Sequence, residues 1–177
     1  WIHFYYALDG TTVNTRSSLT PPPVGPTLQG TEKAWAYCGA ARRDGSNNLV
    51  FVYFRGAEMM YKTPQIAVNA GTATVETSID MSPFVPPNAL KDHLILAIVE
   101  DTITVPGNDV LKIRVATGVD YAFLYGNSFT AFTSAYSNED ICPNISQALF
   151  YILVKGSAGN LSSYVEILGY IVPNGDA

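Results

Sequence analysis

The chain has 177 residues, 47% of them hydrophobic and only 14% charged, with a net charge of −5. That length suits one domain with a sizeable core, and a usual charged share is about 25%. No apolar run nears the roughly 18 residues of a membrane span, and ten scattered cations, clustered only at Arg42 and Arg43, argue against nucleic-acid recognition.

Fourteen Gly and eleven Pro separate short stretches rich in Val, Ile, Tyr, Phe and Thr, the pattern of strands between turns. In chain order the predicted strands are 2–8, 48–55, 58–62, 72–79, 93–100, 110–116, 119–125, 129–134, 148–155 and 164–172. Between the first two, Pro21, Pro22, Pro23 and Pro26 hold an extended loop or arm. Thr31 then caps a predicted short helix near 32–42, where Glu32, Lys33 and the alanines are good helix formers. Turn chemistry falls at 44–48, 86–88, 106–109 and 156–160. The spacing predicts one all-β domain over 1–177, an antiparallel β-sandwich with that single helix.

The strands are of two kinds. Leu111 to Val115 and Ala73 to Asp80 alternate apolar and polar residues, so each has one face in a core and one in water. The stretches Leu49 to Phe54, Leu94 to Val99, Ala148 to Val154 and Val165 to Val172 are apolar on both faces. With nearly no helix to cover the second face, loops or neighbouring subunits must. The low charge content favours subunits.

Chemistry is sparse. The histidines are His3 and His93, each read as structural or surface residues and not as a catalytic base. No HExxH, CxxC or phosphate loop occurs. The acidic pairs Glu100–Asp101 and Glu139–Asp140 read as solvated loop ends. The stretch Ser137, Asn138, Glu139, Asp140 is a candidate structural Ca²⁺ site, because adjacent carboxylate and amide oxygens suit a hard cation. Cys38 and Cys142 are expected as free, buried thiols. The expectation is therefore a protein that is not an enzyme and has no organic cofactor.

Phe51, Tyr53, Phe54, Arg55 and Gly56, followed by Tyr61 and Lys62, resemble a stretch in capsid subunits of picorna-like RNA viruses. There an aromatic strand ends in Arg-Gly and a new strand begins at once. The glycine frees the backbone to bend. Ala148 to Lys155 and Tyr164 to Val172 are similar to the last two strands of that family, and Trp35 to Tyr37 fit its short helix before the aromatic strand.

The resemblance implies a jelly-roll coat protein, cut from a polyprotein, that self-assembles with copies or relatives into a virion shell and can meet a host receptor. A start at Trp1 fits such processing. A bacteriophage decoration or fibre protein is the first alternative. A carbohydrate- or receptor-binding β-sandwich is the second, since aromatic residues stack on sugars.

Residues expected to carry folding are Phe51, Tyr53, Phe54, Leu96, Ile98, Phe150, Ile152, Ile167 and Tyr170. Those expected at subunit contacts, in termini and loops, are Trp1, Phe4, Pro22 within the proline arm, Phe84, Tyr125 and Phe129.

Overall fold

The computed structural model describes residues 1–105, 107–116, 119–128, 134–141 and 147–173. They form β1 (Ile2–Asp9), β2 (Thr12–Ser18), β3 (Ala34–Ala41), β4 (Val52–Arg55), β5 (Glu58–Gly71) and β6 (Thr77–Asp80). The second half contributes β7 (Lys91–Val105), β8 (Gly107–Ala116), β9 (Val119–Ser128), β10 (Ser134–Ile141), β11 (Ala148–Val154) and β12 (Ala158–Ile171). No helix occurs among the described residues.

The strands make three antiparallel sheets, in the orders β2-β1-β3, β10-β7-β12-β5-β4 and β6-β11-β8-β9. From β5 onward the pairing is nested: β5 with β12, β6 with β11, β7 with β10 and β8 with β9. Cross-pairs β7–β12 and β8–β11 then join these hairpin-like pairs into two sheets. Val165, Ile167 and Val68 of the five-stranded sheet share one buried cluster with Leu111, Ile113, Leu149 and Leu153 of the four-stranded one. The arrangement fits a β-sandwich.

The sequence expectation of a short helix near 32–42 is overturned, because this segment is β3. Trp35 and Tyr37 turn to the inner side of the small sheet, while Ala34 and Ala36 turn outward. That alternation pairs the segment along β1, and ladder hydrogen bonds plus aromatic burial outweigh a weak helical preference. At Gly39 the backbone has φ +143, and a Cβ there would lie 2.4 Å from Cε of Met59. That backbone angle is one that residues with a side chain rarely adopt, so the position favours glycine.

Boundaries also differ from expectation. β2 is a polar Thr/Ser strand that hydrophobic patterning passed over. The segment 72–79 is strand only from Thr77, β10 is described from Ser134 to Ile141 while 129–133 of the expected strand 129–134 lie outside the described residues, and β12 begins at Ala158. The small sheet joins the rest through Tyr5 and Tyr37, which are buried with Met59, Tyr61 and Tyr170. Burial of side chains this large stabilises by about 1.5–3 kcal/mol each.

Candidate assembly surface

Among the described residues, six of the fourteen exposed large hydrophobics (Tyr6, Leu8, Val13, Phe51, Tyr53 and Phe54) lie on the N-terminal sheet or at the strand beside it. In β1 the residues His3, Tyr5 and Ala7 point inward and are buried. Tyr6 and Leu8 point outward and are 52% and 43% exposed, with Phe4 half-buried on the same side. Leu8 stands opposite Val13 of β2, Tyr6 opposite Thr15 and Phe4 opposite Ser17. All three partners are exposed, and so are Ala34 and Ala36 of β3. This outer face contains no Asp, Glu, Lys or Arg.

The inner side of β2 is of the other kind. Arg16 donates to Oε1 of Glu32 from Nε at 2.9 Å and from Nη2 at 2.5 Å, and Asn14 Nδ2 donates to the same oxygen at 3.2 Å. Glu32 Oε2 accepts from the Gln29 amide at 2.9 Å. The Arg16 guanidinium, with that amide, holds the Glu32 carboxyl below its ordinary range. The one cation of β2 is thus neutralised within the chain.

An open hollow of about 720 Å³ continues the outer face toward β4, lined by Phe4, Tyr6, Tyr37, Cys38, Phe54 and Gly56. β4 is the edge of the five-stranded sheet. Val52 is buried, but Phe51, Tyr53 and Phe54 are each more than half exposed. The Phe51 and Tyr53 rings meet edge to face at 5.3 Å, and Lys62 Nζ lies 5.5 Å from the Phe51 ring centre. The expectation that Phe51, Tyr53 and Phe54 carry the core is therefore overturned. Among the described residues β4 has a strand neighbour on one edge alone.

The expected contact residues scatter. Trp1 is pinned down, its Nε1 donating to the Ser82 carbonyl at 3.0 Å and its ring edge-on to Tyr170 at 5.4 Å. Phe4 lines the hollow. Pro22 is half-buried, while Pro23 and Val24 beside it are exposed. Phe84 packs against the core, and its carbonyl accepts the Tyr61 hydroxyl. Tyr125 pairs with Val110 in the β8–β9 ladder, but its side chain lies outside the described residues, as does all of Phe129. Of the four whose side chains are described, Phe4 alone falls on the patch. Tyr6, Leu8, Val13 and the aromatics at β4 are exposed here and were not among the expected contact residues.

Candidates for other chemistry fare variously. The side chains of His93, Glu100, Asp101, Leu96, Ile98, Glu139 and Asp140 lie outside the described residues, and so does Cys142. The backbones of Glu139 and Asp140 lie on β10, opposite Leu94 and His93. Among the described residues no three His, Cys, Asp or Glu side chains gather as for a metal, and Cys38 is a free thiol. No described helix is long and apolar enough to cross a membrane.

One polar cluster sits beneath the junction of the small sheet with the five-stranded one. His3 Nδ1 and the Tyr37 hydroxyl lie 3.1 Å apart, and the Tyr170 hydroxyl donates to the Ala40 carbonyl at 2.8 Å. Burial, helped by the N-terminal ammonium, lowers the His3 pKa to about 4, so the imidazole is neutral at pH 7. Asp92 is fully buried, and neither carboxylate oxygen has a hydrogen-bond partner among the described residues. Burial raises its pKa to about 7. Arg42 bonds the Pro83 carbonyl and, at 3.0 Å, Gln65 Oε1, leaving its Nε without a partner there.

No protein-family model matches the chain, and no curated protein does.

Proposed function

We propose that the chain is a virion structural protein, a jelly-roll coat subunit that assembles with copies of itself or close relatives. The observation that carries the reading is the continuous, uncharged outer face of β1, β2 and β3 running through the hollow to the aromatic edge of β4. An apolar patch on this scale, on a chain with 14% charged residues, marks an interaction surface. Its burial would contribute roughly 25 cal/mol per Å² before association costs.

The nested strand pairing supports the fold part of the proposal. Outermost with outermost and innermost with innermost, split into β10-β7-β12-β5 and β6-β11-β8-β9, is the order obtained when one long antiparallel hairpin rolls into a double-sheet jelly roll. Viral capsids and lectins both use that architecture. β1 to β4 are then an N-terminal addition that widens one sheet and supplies the exposed face. The proposal gives the chain no catalytic role and no cofactor. It keeps a host receptor among the partners and a calcium at Glu139 and Asp140 as part of the assembled state.

The test is the solution mass of the chain by light scattering across concentration and calcium, for the native sequence and for Tyr6→Asp and Phe54→Asp. Discrete oligomers or closed particles, lost in both variants, support the proposal. A native chain that stays monomeric throughout rejects it.

A second reading rests on a separate observation. Phe51 and Tyr53 present an exposed aromatic pair with Lys62 beside it, which is the kind of surface that stacks on sugar rings. A glycan array with the free chain separates the two readings. A defined sugar whose binding fails in Tyr53→Ser favours the binding module.

A further inference from the structure

The geometry points to β2 as a self-pairing edge, through which two copies of this chain join antiparallel about a two-fold axis at Thr15. The inference rests on the self-assembly reading and names its contact. Among the described residues β2 has β1 as its one strand neighbour, so alternate residues of this seven-residue strand turn their amide and carbonyl groups to an unpaired edge.

Natural edge strands are usually guarded by proline, charged side chains (lysine above all), inward-pointing charges, a bulge, extreme shortness or a covering loop; the one charge of β2, the inward Arg16, is held by Glu32 of its own chain. β2 has no Pro and no Lys, its ladder with β1 runs from Thr12 to Ser18 without a register shift, and its outward side chains are exposed. Of the other edge strands, β4 and β6 are four residues long, while β3, β9 and β10 run to 8, 10 and 8 residues.

The occupant is argued from charge and register. Antiparallel pairing centred on the middle residue sets Thr15 against Thr15 of the second copy, Val13 against Ser17 and Asn14 against Arg16. No like charges meet. Arg16 is the one ionisable residue of the strand, and Glu32 of its own chain already neutralises it. Threonine pairs and β-branched residues across a ladder are favourable neighbours. A basic or acidic peptide finds no counter-charge on this strand, whereas an identical strand needs none. Pairing would also fuse two uncharged outer faces into one six-stranded face, continuous with the patch described above.

The experiment follows amide hydrogen exchange over residues 12–18 as the chain concentration rises, for the native chain, Thr15→Lys and Thr15→Glu. Thr15 is exposed, so both variants should keep the native far-ultraviolet circular dichroism and melting point. Native protection is expected to grow at least tenfold from dilute to concentrated solution. Each variant alone should lose that growth, since like charges then meet at the axis, and an equimolar mixture of the two should restore it. Concentration-independent exchange at 12–18, or a mixture that behaves like the separate variants, overturns the inference. If that happens while light scattering still shows oligomers that Tyr6→Asp abolishes, the pairing fails and the assembly reading stands. A native chain that is monomeric at every concentration overturns both.

Discussion

Asp92 lies directly across the β7–β12 ladder from Tyr170, and both side chains are fully buried. Tyr170 spends its hydroxyl on the Ala40 carbonyl, and the Asp92 carboxylate is left with no partner among the described residues. A charge in that position is costly, so the folded chain favours the protonated acid.

The pH dependence follows from the raised Asp92 pKa of about 7 against an ordinary value of 3.8. Between those two values the folded state holds a proton that the unfolded state releases. Stability from this group is therefore full at pH 3 to 4, is lost as pH rises toward 7, and is flat above. Asp92→Asn should remove that slope. It is expected to gain about 2–4 kcal/mol relative to the native chain at pH 8 and almost nothing at pH 4, read from urea midpoints. Equal effects at both values would show that Asp92 ionises freely in the fold.

His3 works in the opposite direction. Its folded pKa of about 4 lies below the ordinary 6.5, so its stability is full above 6.5 and lost as pH falls toward 4. Across that range the two slopes offset one another. His3→Gln keeps a polar partner for Tyr37 but cannot take up a proton. Its stability should fall with rising pH from 4 to 7 where the native curve is nearly level.

Gly39→Ala should cost about 1–3 kcal/mol, read from the melting temperature, because φ +143 is strained for any residue with a Cβ. The Met59 methyl 2.4 Å from the ideal Cβ is the end of a flexible chain and can move. Shortening Met59 in the same chain should therefore not restore stability. A full rescue would assign the cost to the steric contact.

Phe51→Ser and Tyr53→Ser should each change stability by less than about 1 kcal/mol, since both side chains are more than half exposed. Tyr170→Phe should cost about 1–3 kcal/mol, because it leaves the buried Ala40 carbonyl without its donor. Chemical denaturation of the three variants side by side checks the contrast. The reverse order would return the β4 aromatics to the core.

Much of the strand content was legible because its signals are local. Gly and Pro mark turns by backbone geometry alone, and strands such as Leu111 to Val115 state their buried face through alternation with Lys112 and Arg114, as β8 bears out. Ile167 and Tyr170 were placed in the core, where they lie. In β11 the expectation chose Phe150 and Ile152, whereas Leu149, Tyr151 and Leu153 carry the buried face. A strand apolar at every position has no polar residue to tell one face from the other, and one residue of register exchanges them.

What the sequence by itself determined is a charge-poor, turn-rich, all-β chain with more apolar faces than one core can use. Only the tertiary structure decided which faces remain outside. Trp35 and Tyr37 could enter a helix until β1 offered a ladder. Phe51, Tyr53 and Phe54 would fill a core if β4 were central, but at a sheet edge they meet solvent. Whether a side chain is buried depends on what packs across from it, and those neighbours come from segments far away in the chain.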